Sequence, residues 1–235
     1  MLHARFALYG VRVANLKSRF LGSWLGDRLM REGEVMAAST IGAFVHVTVR
    51  SAAVPVPGDK IQVFFPEVGT RTYSPFACAG GRFELAIFLH DRGPSSAWAR
   101  ALAPGRQIRF IGPSSSTPFS DIVGPVALFG DETSVGVARS LHDARHGDAR
   151  VVLEVGSRAA VEPVLGGLGL AAELVERGGD HLATIARELA AAGRTLVLTG
   201  NAKSIQDLRG RLKALGSSRP QRVKSYWAEG KVGLD

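Results

Sequence analysis

Residues 71–78 read RTYSPFAC, a strand-like stretch that opens with polar side chains. Successive side chains of a strand point to opposite faces, so Arg71 and Tyr73 share one face while Thr72 and Ser74 share the other. A flat aromatic ligand with a phosphate tail would use such a set, with a ring face or hydroxyl from Tyr73, a cation from Arg71 and a hydroxyl or backbone amide from Ser74. The plain alternative is an ordinary strand with one exposed arginine.

The stretch lies in a series of short apolar or alternating runs typical of strands. These runs are AFVHVTVRS, KIQVFFP, RTYSPFAC, RFELAIFLH and RQIRFIGP, between residues 43 and 113. Turn signals rich in Gly and Pro separate them, and SSAWARALA (95–103) interrupts them as a short helix. This spacing predicts a small antiparallel barrel. The first 30 residues are less readable, and SRFLGSWLGDRLM (18–30) suits either a short amphipathic helix or a strand and loop.

The second half of the chain has a different rhythm. The Ser/Pro/Gly-rich segment 112–125 predicts a domain boundary, which divides the chain into domains 1–120 and 121–235. Beyond it, strands VALFGD, ARVVLEVG, LAAELVERG and RTLVLTG alternate with helices TSVGVARSLHDARH, EPVLGGL (a weak one), HLATIARELAAAG and SIQDLRGRLKALG. Alternating strands and helices predict right-handed βαβ units and a parallel sheet.

Composition limits the class of protein. The chain has 235 residues, 46% apolar and 21% charged, as a globular protein with a sizeable core would have. No apolar run approaches the roughly 18–20 residues of a membrane span, and no signal peptide is recognisable. Cys78 is the only cysteine, which excludes an intrachain disulfide and a cysteine-based metal cluster and favours a cytoplasmic location. We therefore expect no metal site and no membrane partner.

The net charge of +8 is unevenly distributed. Residues 1–120 carry 14 Lys+Arg against 7 Asp+Glu, whereas residues 121–235 carry 15 against 14. A basic surface favours polyanions or small anionic ligands. No zinc finger, RNA-binding aromatic motif or evident helix-turn-helix is present, so nucleic acid is not the predicted partner.

A second motif follows the RTYS stretch by some 20 residues. HDRGPSSAWARALAPG (90–105) predicts a strand that ends at His90, a Gly93-Pro94 turn and a helix that begins at Ser95 or Ser96. A helix N-terminus has free N–H groups and partial positive charge, both of which favour phosphate. The alternative is that the serines simply cap the helix. The RTYS strand followed by this helix start is a more specific signal for such a ligand than either motif alone.

Four motifs in one order carry a family resemblance. RTYS, GPSSAWA, FGDETSVGVA (129–138) and SYWAEG (225–230) resemble the siderophore-interacting, flavin-dependent ferric-siderophore reductases of the ferredoxin–NADP reductase superfamily. That family has His-Gly-x-x-Gly-Pro-Ala-Ser-x-Trp-Ala, Gly-Asp-Glu-Thr-Ala and Tyr-Trp-Arg-x-Gly in the same order. The resemblance covers residues 40–230 approximately.

The resemblance implies a six-stranded flavin-binding barrel followed by a parallel α/β domain of the NAD(P)-binding type. FAD would lie against RTYS with its pyrophosphate at the helix that follows Gly93. The implied cofactor-binding residues are Arg71, Thr72, Tyr73, Ser74, His90, Gly93, Pro94, Ser95, Ser96, Asp131, Thr133, Ser134, Tyr226 and Trp227.

FGDETS (129–134) lies where the first α/β strand meets its helix. Gly130 permits a tight turn, and Thr133 or Ser134 would cap the helix. Asp131 and the neighbouring Glu132 would repel a nucleotide phosphate, and the chain has no GxGxxG, so we expect these acids to order a polar network or tune the flavin. The alternative is an acidic helix start favoured by the helix dipole.

Three further strand ends carry candidate residues. Ser157 and Arg158 would hold the 2′-phosphate of NADPH or form a surface turn, because arginine grips phosphate with two nitrogens. Gly200 and Asn201 should also face the cleft. The aromatics of SYWAEG (225–230) would cover a flavin face or seal the edge of the sheet. With Gly130, the predicted nucleotide-binding set is Ser157, Arg158, Gly200 and Asn201.

By resemblance, the chain moves electrons from NADPH, NADH or reduced ferredoxin through FAD to a ferric siderophore or other ferric chelate. Asp91, Pro75-Phe76, Ala228 and Asn201 depart from the family pattern. The alternatives are a general NAD(P)H flavin or ferredoxin reductase, an electron-transfer subunit, and a non-enzymatic basic binding protein. No catalytic acid or base is assigned, and we expect a monomer or weak dimer.

Overall fold

The computed structural model describes residues 30–65, 69–90 and 94–230. The segment 18–30, apart from its last residue, and the predicted site residue Gly93 lie outside the described residues.

Seven antiparallel strands form the first sheet, in the order β4-β3-β7-β1-β2-β6-β5. Their bounds are β1 Met30–Ile41, β2 Phe44–Arg50, β3 Asp59–Phe65, β4 Gly69–Tyr73, β5 Phe76–Ala79, β6 Arg82–Phe88 and β7 Gln107–Ser115. A short helix, α1 (Pro94–Arg100), lies between β6 and β7. Alternate residues of β2, β3 and β6 are buried, which is the pattern of strands with one face on a core.

RTYSPFAC is not one strand, contrary to the prediction. It divides at Ser74-Pro75 into β4 and β5, which stand at opposite edges of the sheet. Proline has no N–H for a strand ladder, so pairing stops where Pro75 stands. Because only two residues join the two edges, the sheet must curl back on itself, and β4 and β5 together supply the sixth strand of the predicted barrel.

Five parallel strands form the second sheet, in the order β10-β9-β8-β11-β12. Their bounds are β8 Val126–Gly130, β9 Arg150–Val155, β10 Glu173–Glu176, β11 Thr195–Asn201 and β12 Gln221–Trp227. The helices are α2 Val135–Ala144, α3 Arg158–Leu168, α4 His181–Ala191 and α5 Ala202–Ala214. The predicted alternation is confirmed. The weak helix EPVLGGL is the second half of a longer helix, α3, and SYW belongs to the edge strand β12.

One apolar core joins the two sheets. Phe44 and Phe76 of the barrel pack in the same cluster as Leu128, Val135 and Leu141 of the α/β half. The amide of Ala43 also donates to the carbonyl of Ala160, 3.0 Å away. The division into domains 1–120 and 121–235 stays a prediction. No helix of the described residues is long and apolar enough to cross a membrane.

Candidate functional site

The strand order reverses at the carboxyl ends of β8 and β11, and this end of the parallel sheet is called the crevice below. The chain runs outward from β8 through β9 to β10 and then returns to the other side of β8 as β11. In open α/β sheets ligands bind at the carboxyl ends of the strands where the order reverses, here between β8 and β11. Asp131 follows β8 at this point, and Gly200 lies at the end of β11.

The Asp131 carboxylate is fully buried in this crevice. Its Oδ1 accepts hydrogen bonds from the amide of Thr133 at 2.9 Å and from the Thr133 hydroxyl, and its Oδ2 accepts one from the indole Nε1 of Trp227 at 2.8 Å. Burial raises the pKa of Asp131, and the hydrogen bonds from Thr133 and Trp227 oppose that rise. The expected polar network around Asp131 is therefore present.

Two glycines make room for this carboxylate and its neighbours. A Cβ on Gly200 would lie 2.5 Å from Oδ2 of Asp131, and the φ of +96° at Gly200 also disfavours other residues. A Cβ on Gly130 would lie 2.4 Å from the Ser134 side chain. The sequence favoured a tight turn at Gly130, but close packing of the strand end against the next turn is the reason for glycine there.

Ser134 stands at the N-cap position of α2, as predicted for Thr133 or Ser134, but its side chain makes no cap bond to that helix. A short 3-10 turn, Glu132–Ser134, precedes α2, and Asp131 is the residue that caps it. The Ser134 hydroxyl instead accepts from the amide of Asp131 at 3.3 Å and lies 2.8 Å from Thr199 Oγ1 of β11. Ser134 thus forms a capping box with Asp131 across the 3-10 turn and joins that turn to β11 through Thr199.

Glu132 binds Arg177 with both carboxylate oxygens. Oε1 accepts from the guanidinium at 3.0 Å and from the Gly156 amide at 2.6 Å, while Oε2 pairs with the same guanidinium at 2.5 Å. Burial alone would raise the pKa of Glu132, but the bonds from Arg177 and Gly156 outweigh it and hold the pKa below its usual value. The carboxylate therefore occupies the Gly156 amide just beyond the end of β9.

Arg177 extends the network to two residues that the sequence analysis missed. It lies 3.7 Å from Oε1 of Glu154, whose Oε2 is 2.9 Å from Nε2 of His181. Glu154 is nearly fully buried. The signal was present in the apolar strand VVLEV (151–155), because a buried carboxylate must find a cation or a donor. The four side chains tie together the ends of β8, β9 and β10.

The predicted nucleotide-binding residues lie at the carboxyl ends of β9 and β11. Ser157 is exposed at the start of α3, whereas the Arg158 side chain donates to the Leu174 carbonyl at 3.0 Å and lies 4.0 Å from Glu162. The Asn201 side chain accepts from the first amides of α5 and caps that helix. Arg158 and Asn201 thus have structural partners, and a nucleotide-binding role for this set stays a prediction.

A contact between Ser74 and Tyr226 connects the barrel to the crevice. The Ser74 hydroxyl lies 3.3 Å from the phenol oxygen of Tyr226 in β12. A Cβ on Gly136 in α2 would lie 2.7 Å from the Ser74 carbonyl, so glycine allows this close approach. Burial raises the pKa of Tyr226 to about 12, which keeps its hydroxyl protonated at neutral pH. The end of RTYS therefore faces the α/β half.

The rest of RTYS packs at the edge of the barrel. Arg71 donates to the Thr70 carbonyl at 2.8 Å, and no carboxylate among the described residues forms a salt bridge with it. Thr72 pairs with Gln62 in the ladder. The Tyr73 ring lies 6.2 Å from Phe65, and burial raises its pKa. Tyr73 is therefore packed rather than freely presented.

The second motif comes to the same corner of the barrel. The Trp98 ring of α1 lies 4.4 Å from Phe65, so this phenylalanine stands between Trp98 and Tyr73. The helix begins at Pro94, one or two residues before the predicted start, which places Ser95 and the buried Ser96 within its first turn rather than at its cap. His90 is exposed just after β6, with its ring 6.2 Å from Phe88.

No protein-family model matches the chain, and no curated protein matches its sequence. Solved structures do match. A siderophore-interacting protein from Acinetobacter baumannii superposes with a TM-score of 0.66 at 17% identity, over 86% of this chain and 91% of that chain. A siderophore utilization protein from T. fusca superposes with a TM-score of 0.64 at 21% identity, over 88% of this chain and 95% of that chain. A ferredoxin NADP+ reductase from Neisseria gonorrhoeae, solved with bound FAD and NADP, superposes with a TM-score of 0.65 at 11% identity, over 85% of this chain and 99% of that chain.

These likenesses define the class of fold. The chain has the barrel and parallel α/β architecture of ferredoxin reductase-like proteins, which confirms the predicted fold class. Siderophore-interacting proteins are among the structures that share it, in agreement with the resemblance carried by the four motifs.

Proposed function

We propose that the chain is an FAD-dependent oxidoreductase that passes electrons from NADPH, NADH or a reduced ferredoxin to a ferric chelate, in the manner of the siderophore-interacting proteins. The supporting observation is the convergence of the two flavin-type motifs on one corner of the barrel. Tyr73 of β4 and Trp98 of α1 both pack against Phe65, and Ser74 points from this corner to the crevice of the α/β half.

The chemistry of this corner fits a flavin dinucleotide. Arg71 has a guanidinium without a carboxylate partner among the described residues, as a phosphate ligand requires. Helix α1, whose Trp98 packs against Phe65, adds the free backbone N–H groups of its first turn. Ser74 and Tyr226 supply hydroxyls, and Trp227 supplies an aromatic face at the crevice. When bound, FAD accepts a hydride and releases single electrons.

The residues of this chain would position the reaction rather than perform acid–base chemistry. Arg71 would bind the phosphate end of the cofactor, and Ser74 would donate to the edge of its ring. The aromatic end of β12 would shield the ring from water. Reduction releases iron from a chelate because hard oxygen donors bind Fe(II) less tightly than Fe(III). The basic barrel half attracts an anionic chelate.

The FAD site is tested with a matched pair of arginine variants. Arg71→Ala removes the proposed phosphate ligand, and we expect FAD affinity to fall about tenfold or more, because hydrogen bonds to charged groups contribute ~1.5–3 kcal/mol. Arg82→Ala removes an exposed arginine from β6 and should leave FAD affinity unchanged. Equal affinity in the two variants would remove Arg71 from the site.

The acceptor is tested separately. The FAD-loaded protein should reduce ferric siderophores faster than free flavin or ferredoxin under steady-state conditions with NADPH or NADH. Faster reduction of free flavin would indicate a general flavin reductase instead. Co-purification with an oxygenase would indicate an electron-transfer subunit.

A further inference from the structure

A carboxylate occupies the start of helix α3, where a phosphate would otherwise be favoured. Glu176 ends β10, and its partner in the register with β9 is Val155, the last residue of that strand. Oε1 of Glu176 accepts from the amide of Arg158, the first residue of α3, at 2.8 Å. Ser157 is the N-cap of α3 but makes no side-chain cap bond, so Glu176 takes over that role from the neighbouring strand. The N–H groups and partial positive charge of the helix start, which attract phosphate, are thus partly used by this carboxylate.

Both arginines beside this carboxylate are directed to partners within the protein. The guanidinium of Arg158 donates to the Leu174 carbonyl at 3.0 Å and lies 4.0 Å from Glu162. The guanidinium of Arg177 donates through two nitrogens to the Glu132 carboxylate. A two-nitrogen grip on the 2′-phosphate of NADPH needs a guanidinium whose nitrogens are free. Neither arginine meets this need without losing the contacts that it makes in the folded protein.

The carboxyl ends of β9 and β10 carry more carboxylates than arginines. The charged groups there are the carboxylates of Glu132, Glu154, Glu162 and Glu176 and the guanidiniums of Arg158 and Arg177, with the His181 imidazole beside Glu154. The 2′-phosphate of NADPH brings about two further negative charges at neutral pH, and like charges at close range repel. The 2′-hydroxyl of NADH brings no charge and can donate a hydrogen bond. Oε2 of Glu176 has no donor among the described residues, so this oxygen can accept that bond.

We propose that Glu176 is a specificity-determining residue that selects NADH over NADPH, because its carboxylate accepts a ribose hydroxyl of NADH and repels the 2′-phosphate of NADPH. The inference rests on the proposed function, in which a nicotinamide dinucleotide is one of the electron donors. NADH and NADPH carry the same nicotinamide, so the adenosine half alone sets the preference. Arg158, which the sequence suggested as a ligand of the 2′-phosphate, is then a structural residue of α3, and Glu176 is the residue that reads the ribose.

The preference is tested by titrating the FAD-loaded protein with NAD+ and NADP+. We expect NAD+ to bind about tenfold more tightly at low salt, and the ratio of the two Kd values to shrink when salt rises from about 0.05 to about 0.5 M. Glu176→Gln keeps an acceptor for the Arg158 amide and removes the charge, so the ratio should fall about fivefold, mainly through tighter binding of NADP+. Glu173→Gln makes the same change at the other end of β10, where the side chain pairs with Arg150, and should leave the ratio unchanged. Equal or tighter binding of NADP+ by the wild type, or the same ratio in Glu176→Gln, would overturn the inference.

ADP-ribose and 2′-phospho-ADP-ribose test the same preference without the nicotinamide. Calorimetric titration of the purified chain, with and without FAD, should show tighter binding of ADP-ribose and a smaller difference in Glu176→Gln. This result in a chain that fails to bind FAD would refute the proposed function and leave the role of Glu176 standing. Conversely, a chain that binds FAD but neither dinucleotide nor either adenosine half would overturn the inference and leave an FAD enzyme that is reduced by ferredoxin.

Discussion

The ion pair between Glu132 and Arg177 gives a prediction that depends on pH. Glu132→Gln keeps the shape of the side chain, removes its charge and replaces one of its two acceptor oxygens with an amide nitrogen. The carboxylate accepts two hydrogen bonds from Arg177 and one from Gly156. Hydrogen bonds to charged groups contribute ~1.5–3 kcal/mol each.

The net loss is smaller than the sum of these bonds. The Arg177 side chain is 35% exposed, so solvent screens its charge, and Arg177 keeps its contacts with Glu154. The glutamine oxygen also still accepts one of the bonds. We therefore expect the free energy of unfolding to fall by about 2 kcal/mol at pH 7, a Tm decrease of about 4–8 °C for a chain of this size.

The sign of the pH dependence follows from the lowered pKa of Glu132. A carboxylate whose pKa is lower in the folded state than in the unfolded state stabilises the protein fully when the pH is above the unfolded-state pKa, which is near 4.5 for this residue. That stabilisation disappears as pH falls through the folded-state pKa. The difference in unfolding free energy between the wild type and Glu132→Gln should therefore be complete at pH 7 and shrink progressively below about pH 4.5.

The assay is urea denaturation followed by circular dichroism between pH 7 and pH 3. Glu162→Gln is the matched control, because Glu162 is 62% exposed and lies 4.0 Å from Arg158. A surface pair of this kind contributes roughly 0–1 kcal/mol. Equal losses for the two variants at pH 7, or a Glu132→Gln difference that stays constant to pH 3, would refute the reasoning.

Two further substitutions probe the crevice. Gly200→Ala puts a Cβ 2.5 Å from Asp131 at a φ of +96° and should lower the free energy of unfolding by about 1–3 kcal/mol. Gly210→Ala is the control, because a Cβ at this position of α5 meets nothing within 4 Å, and it should raise the free energy of unfolding by ~0.5–1 kcal/mol. Equal urea midpoints for these two alanine variants would contradict the packing at Gly200. Tyr226→Phe should lower the free energy of unfolding by about 1 kcal/mol or less in the wild type, because it removes the Ser74–Tyr226 hydrogen bond. In a Ser74→Ala background, where that bond is already absent, the same substitution should change nothing. An equal loss in both backgrounds would exclude that contact.

Periodicity predicted most of the fold. The alternating runs of β2, β3 and β6 have one buried face, and the apolar runs of β8 and β9 are buried almost throughout. These patterns are local consequences of burial on one or both faces of a sheet. The long strand β1 was missed because most positions of its sequence MREGEVMAASTI are polar or small and carry no clear alternation.

The site was less predictable because its contacts join residues far apart in the chain. Asp131 and Trp227 are separated by 96 residues, and Ser74 and Tyr226 by 152. Spacing along a sequence cannot show which of several strand-end residues will meet. The motifs identified both ends of these contacts, but the pairing required the strand order of the second sheet. The network of Glu132, Arg177, Glu154 and His181 was missed for the same reason, apart from the warning given by a glutamate in an apolar strand.

The capping residue illustrates a local error. Thr133 and Ser134 were expected to cap the helix because hydroxyl residues are favoured there. Asp131 is an equally good cap, and it begins a 3-10 turn three residues earlier. The Ser134 hydroxyl accepts from Thr199 of β11, whereas the Thr133 hydroxyl donates to Asp131 within the turn. Local preference therefore identified the N-cap position of α2 at Ser134 but missed Asp131, whose side chain makes the cap bond of the preceding turn.

We propose that this chain binds FAD in the corner between RTYS and α1. The most direct measurement is the visible absorbance spectrum of the purified protein after refolding with excess FAD and removal of free flavin. We expect bound flavin at about one FAD per chain, with band positions shifted from those of free FAD. A colourless protein with the circular dichroism of the folded state would contradict it.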